Sequence, residues 1–147
     1  MAQTNTSESL FNIQIADQLT NNVMPLLHEI KHALQNLADN NETSIIDLRS
    51  IPLAPGEEEK IIETLGQGEI QAQLHALGTS EIIESQYPGV WIINHYNQEN
   101  ELISRFIEVT FIPDIICSQK DDVSDAVKQL TITLNENSPT NTSAVEK

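Results

Sequence analysis

The sequence predicts an α+β fold, a largely antiparallel sheet of about four to five strands packed with about three helices. Three observations predict it. Apolar residues recur with a helical period near both ends of the chain. Several short β-branched or alternating runs lie between those ends. Only one further helix interrupts the runs, so most strands follow one another directly and pair antiparallel.

From about Asn21 to Ala38, Val23, Leu27, Ile30, Leu34 and Leu37 recur every third or fourth residue, with Leu26 and Ala33 beside them. This spacing predicts an amphipathic helix with Pro25 in its first turn. Asp39-Asn40-Asn41 marks a turn, and Ser44 to Ile51 is β-branched and strand-like. Pro55-Gly56 opens a second helix, where Glu57, Glu58 and Glu59 complement the positive end of the dipole. Ile61, Ile62 and Leu65 face inward, and Gly66 is expected as a left-handed cap.

Ile70, Ala72, Leu74 and Ala76 alternate with Glu69, Gln71, Gln73 and His75, the pattern of a half-buried antiparallel strand. Glu81 to Tyr87 is a weaker strand. Val90 to Tyr96 and Glu101 to Ile112 form a hairpin across Asn97-Gln98-Glu99-Asn100. Ser118 and Asp121 resemble a capping box for a last helix carrying Val123, Val127, Leu130 and Leu134. These elements make one domain over residues 18–135. Residues 1–17 and 136–147 read as polar tails with too little apolar surface to offset ordering.

Charge and cysteine content limit the chemistry. Seven Lys+Arg against 22 Asp+Glu give a net charge of −15 over 147 residues. The acids are spread along the chain, so they describe an acidic surface that repels nucleic-acid phosphates and anionic membranes. Cys117 is the single cysteine, which excludes an internal disulfide, an iron–sulfur cluster or a four-cysteine zinc site. The longest apolar run, Val90 to Ile93, is far too short to insert in a bilayer, and the first residues lack signal-peptide character. A cytoplasmic protein without cofactor is expected.

His28-Glu29-Ile30-Lys31-His32 matches H-E-x-x-H, in which two histidines one turn apart bind Zn²⁺ and the glutamate acts as base. Helical geometry argues against that use. With Val23 at zero and about 100° per residue, Leu27, Ile30, Leu34 and Leu37 fall within about 40°. His28 then stands at about 140° and His32 at about 180°, away from the core. The extended motif also fails at Asn36, Leu37, Ala38 and Asp39, so no third ligand follows. Gly66-Gln67-Gly68 follows a helix and lacks the third glycine of a dinucleotide loop. His75, His95 and Cys117 have no assignable catalytic partner. Asp47 and Arg49 lie on one side of a strand and read as a surface ion pair.

Five short segments, in order, resemble one family. They are Leu26 to Leu34, Ile46-Asp47-Leu48-Arg49-Ser50-Ile51-Pro52-Leu53, Leu65-Gly66-Gln67-Gly68-Glu69-Ile70, Ile83-Glu84-Ser85-Gln86-Tyr87-Pro88-Gly89-Val90-Trp91, and Ile107-Glu108-Val109 with Ile112-Pro113. The run is similar to the carboxy-terminal domain of the hydrogenase expression/formation proteins typified by HupH and HyaF. The resemblance implies an accessory, non-enzymatic role in maturation of a [NiFe] uptake hydrogenase, acting on its iron–sulfur small subunit or with other accessory proteins. It implies no catalytic residues.

Within that reading, the expected partner-binding residues are Tyr87, Pro88, Gly89, Val90 and Trp91. Pro-Gly makes a tight turn that presents two aromatic anchors, and strand alternation tips Trp91 outward. Glu84, Glu69, Asp47, Arg49 and Glu108 complete the expected surface. Two rivals are a small zinc hydrolase using His28, His32 and Glu29, and a purely self-associating structural domain, such as a homodimer, built through an exposed strand edge.

Overall fold

A computed structural model describes residues 22–139, in two compact units, one ending at Ile116 and the other starting at Cys117. The expected tail at residues 1–17 lies outside the described residues, as do residues 140–147 of the tail expected at 136–147.

The first unit contains α1 (Val23–Asn40), β1 (Ser44–Asp47), a 3-10 turn (Leu48–Ser50), α2 (Glu57–Leu65), β2 (Gln71–His75), β3 (Thr79–Glu84), β4 (Val90–Tyr96), β5 (Leu102–Val109) and a second 3-10 turn (Asp114–Ile116). The second unit contains α3 (Lys120–Glu136). All five strands pair antiparallel in the order β1-β5-β4-β3-β2. Among the described residues, the α+β class with a mainly antiparallel sheet and three helices is therefore the observed one.

Alternation along β4 and β5 sorts side chains into two layers. Val90, Ile92, Ile107 and Val109 join Ile46 and Leu48 with Val23, Leu26, Ile30, Ala33 and Leu37 of α1 and Ile61 and Leu65 of α2 in the main core. On the opposite face Trp91, Ile93 and Ile82 form a second cluster, packed by Ala72, Phe106 and Ile116. Trp91 is only 3% exposed. The expectation of an outward Trp91 is thus corrected. Its alternation with Val90 is as read, but the far face of β4 is itself covered.

Other expectations are adjusted locally. The strand from Ser44 stops at Asp47, because its carboxylate accepts from the Arg49 backbone N–H (3.0 Å) and the Ser50 hydroxyl (2.5 Å) and caps a 3-10 turn instead. The Asp47–Arg49 ion pair gives way to an approach of Arg49 Nε to Glu58 Oε1 at 3.8 Å. Arg105 Nη1 reaches the same oxygen at 3.1 Å, and its Nε donates to Asn94 Oδ1 at 2.8 Å. Both arginines of the sequence therefore meet at one carboxylate.

Gly66 has the positive φ of +65° but ψ of −163°, so it turns the chain without adopting the left-handed cap. Gln119, not Ser118, precedes α3, with no capping side-chain bond, and α3 continues through Glu136. The apolar side of β2 is less covered than its alternation predicts: Ile70 and Leu74 are exposed, since β2 is the sheet edge and only Ala72 reaches the second cluster.

Glu57 is buried at the start of α2, where it accepts from the backbone N–H of Ala54 (2.8 Å) and of Asn22 (3.2 Å) and from the Asn22 amide (3.3 Å). The Ala54 N–H, with Asn22, holds its carboxyl below the usual range. This ties the entry of α1 to the entry of α2.

Candidate functional site

The β3–β4 connection is held by a dense set of hydrogen bonds. Tyr87-Pro88-Gly89-Val90 is a tight turn closed by the Val90 N–H on the Tyr87 carbonyl at 3.0 Å. Proline presets the first corner, and Gly89 takes the second at φ +93°, the arrangement of a type II turn. Ser85, buried beneath it, donates its hydroxyl to the Tyr87 carbonyl (3.0 Å) and accepts the Tyr87 N–H (3.1 Å).

Two flanking segments hold this turn. The backbone of Leu65 accepts the Gln86 N–H at 2.9 Å, and Gln86 Nε2 donates to the Thr64 carbonyl at 2.9 Å. Gly68 donates to the Glu84 carbonyl at 2.7 Å. A Cβ on Gly68 would lie 2.5 Å from the Ser85 carbonyl oxygen, so the close approach of the two segments needs glycine there. On the other side the Thr110 N–H bonds the Gly89 carbonyl (2.9 Å) and the Thr110 carbonyl accepts the Trp91 indole N–H (3.1 Å).

The turn stands between two hollows. One, of about 300 Å³, has apolar walls from Leu27, Ile30, Leu34, Leu65 and Val90, with Tyr87, Lys31 and Thr64 completing it. The other, of about 410 Å³, is bounded by Leu34, Leu37, Pro88, Gly89 and Phe111, with Glu84 at its side. Leu34 separates them. Tyr87 is 45% exposed, and Phe111 is more exposed still. A half-exposed aromatic on a braced turn, beside apolar hollows, is suited to receive a bulky apolar side chain.

The expected site residues divide between places. Tyr87, Pro88, Gly89 and Val90 cluster at the turn. Glu84 borders it and accepts the Glu69 N–H at 3.3 Å, bringing Glu69 to the same end. Trp91 supports the turn from inside. Asp47 and Arg49 lie apart, at the 3-10 turn after β1. The Ser50 hydroxyl, aided by the Arg49 N–H, holds the Asp47 carboxyl below the usual range. His28, Glu29 and His32 are all exposed on α1, away from the core-facing side. Leu27, Leu34, Thr64 and Phe111 were not expected in the site. Their signal was weak: Leu27 and Leu34 read as core and turn out half-buried at the border of the helix stripe.

Glu108 lies across the sheet from Trp91 on the second face, above a hollow of about 220 Å³ with Ile45, Ile93, His95, Phe106 and Ile115. Burial, with the nearby Asp114 charge, pushes its carboxyl above the ordinary value of 4.5. An acid raised in the folded state contributes stability below its unfolded value and loses it as pH rises through its folded value. Glu108→Gln is therefore expected to raise the melting temperature at neutral pH, with the gain disappearing below about pH 4. Melts across that range check it, and an equal effect at both ends would refute the assignment.

Residues 20–136 match the family described as HupH hydrogenase expression protein, C-terminal conserved region. The chain belongs to this family. Among its relatives are the hydrogenase expression/formation proteins HoxQ of Azotobacter vinelandii, 27% identical over 111 residues, and HupH of Rhizobium leguminosarum bv. viciae, 27% identical over 109 residues. Each alignment covers 74% of this chain and 39% of the relative, so this chain spans well under half of their length. The solved structure of the hydrogenase expression protein HupH from Thiobacillus denitrificans is 38% identical, with a TM-score of 0.76 over 80% of this chain and 98% of that one. The HupH/HyaF-like resemblance read from the five segments is thus shown. Two of those segments, Leu65–Ile70 and Ile83–Trp91, are the ones clasped together around the turn. Among the described residues, no helix is long and apolar enough to cross a membrane.

Proposed function

We propose that this HupH-family chain is an accessory factor in maturation of a [NiFe] uptake hydrogenase, and that it acts without catalysis, by holding the iron–sulfur small subunit through protein contact. Family membership supports the hydrogenase part of the reading. The observation that carries the contact part is the braced Tyr87-Pro88-Gly89 turn between two apolar hollows. A rigid aromatic loses little conformational entropy on binding, which is why tyrosine anchors so many interfaces.

Capture of the small subunit by the tagged full chain tests this reading. Tyr87→Ala is expected to weaken capture by roughly thirtyfold, the equivalent of a hot-spot truncation of about 2 kcal/mol. The melt should barely change, because the side chain is half exposed. Capture equal to that of the unchanged protein would overturn the role of the turn. Leu34→Asp, which places a charge on the ridge between the hollows, should act in the same direction.

A further inference from the structure

The Lys and Arg side chains of the unit ending at Ile116 are engaged unequally. Arg49 and Arg105 meet Glu58, and Lys60 meets Glu63. Lys31 has no ion pair among the described residues, although the chain carries 22 Asp+Glu against seven Lys+Arg. Its own helix offers none: Leu27, His28, Leu34 and Gln35, the residues one turn away, include no carboxylate. Leu27 and Leu34 are also walls of the hollow of about 300 Å³ beside the Tyr87 turn, and Lys31 borders it between them.

The remaining polar groups at that lip are satisfied or are donors. The Thr64 hydroxyl donates to the Lys60 carbonyl (2.7 Å), and the Thr64 carbonyl accepts from Gln86 Nε2 (2.9 Å). Tyr87 Oη accepts from the same Gln86 nitrogen at 3.3 Å, and its own O–H meets no acceptor among the described residues. Apolar walls are thus joined by two donors, one of them a cation.

We propose that this hollow receives an acid-flanked apolar segment of the partner protein. A bulky aliphatic or aromatic side chain enters between Leu27, Leu34 and Val90, and an adjoining Asp or Glu takes Lys31 and the Tyr87 hydroxyl as donors. The proposal rests on the reading of the Tyr87 turn as a contact surface and supplies the chemistry of what docks there. A basic residue at that point would face Lys31 as a like charge, and a neutral one would cover the ammonium without pairing it. The adjoining hollow is bordered by Glu84 and by no Lys or Arg among the described residues, so the acid belongs at the first. Because the chain as a whole is acidic, the attraction is local: it selects and orients the segment and adds little long-range steering.

Titration of the isotope-labelled full chain with short capped peptides tests this. The peptides differ only in whether glutamate, glutamine or lysine precedes a leucine–phenylalanine pair. The glutamate peptide is expected to bind in the roughly millimolar range and to shift the methyl resonances of Leu27, Leu34 and Val90. The lysine peptide should bind roughly tenfold more weakly, with the glutamine peptide between them. Lys31→Glu should reverse that order and leave the melt unchanged, because the side chain is exposed. Tyr87→Phe keeps the ring and should narrow the preference for glutamate, as should raising salt from about 50 to about 500 mM. Peptides that bind alike, an order unmoved by Lys31→Glu, or a glutamate peptide without effect on these methyls at about 10 mM would overturn the proposal. Capture tests the hydrogenase reading separately. Lys31→Glu should weaken capture of the small subunit by roughly tenfold. A chain that ranks the peptides as expected yet captures no small subunit would support this chemistry and remove that client.

Discussion

Trp91→Ala is expected to cost the sheet domain roughly 3–5 kcal/mol, the range for emptying a buried large aromatic site. The indole fills the layer between Ile82, Ile93 and the 3-10 turn at Ile116, and its N–H is the partner of the Thr110 carbonyl. Truncation would leave both a cavity and a carbonyl without that donor. Trp91→Phe keeps most of the volume and removes the donor, so it should lose a smaller share, about 1–2 kcal/mol. Urea unfolding of the two variants separates the terms. A loss under about 1 kcal/mol for Trp91→Ala would mean that the second cluster is not a core. Thr110 joins the Trp91 ring to the Gly89 carbonyl, so the loss should also loosen the turn.

Gly89→Ala should follow closely, at about 2–4 kcal/mol. Two costs combine. An L-residue is strained at φ +93°, by roughly 1–2 kcal/mol. The added Cβ would also stand 3.1 Å from Leu34 Cδ1 and 3.3 Å from Leu37 Cδ2, pressing on the ridge between the hollows. Pro88→Ala removes only preorganisation and should cost under about 1 kcal/mol. Chemical denaturation of both gives the comparison, and near-equal losses would refute the steric account. Because the leucines must give way, Gly89→Ala is also expected to impair capture of the small subunit.

The elements that sequence reading placed well are those where one signal dominated. The α1 stripe was found because a regular period over five turns leaves no other structure. The β4–β5 hairpin was found because polar Asn97 to Asn100 separates two β-rich runs, and Asn100 adopts φ +65° there. The differences lie in cover. Alternation correctly set Trp91 opposite Val90, yet period two cannot tell whether the second face meets water or another layer. The same limit applies to β2, where Leu74 looked buried and lies at an edge. Asp47 misled differently: its carboxylate bonds two residues ahead, so a local turn outcompetes the strand that β-branched neighbours favour. The candidate site was half legible. The turn was readable from Pro-Gly, while the helix residues facing it come from positions about 20 to 60 residues away and carry no local mark.

The meeting of Arg49 and Arg105 at Glu58 has a bearing on recognition. Arg105 is committed to Glu58 and Asn94, while Arg49, 43% exposed, meets Glu58 only through Nε at 3.8 Å; the remaining cationic side chains are lysines, point charges on flexible stems. The surface thus keeps one planar fork with which to grip a carboxylate at two points, against carboxylates in abundance to be gripped. Directional ionic bonding across an interface of this chain would therefore draw mainly on forks supplied by the visiting protein. A client discriminating this chain from other acidic proteins by such bonds would do so chiefly through its own arginines, and most of the vocabulary of the contact would be written on the client's side.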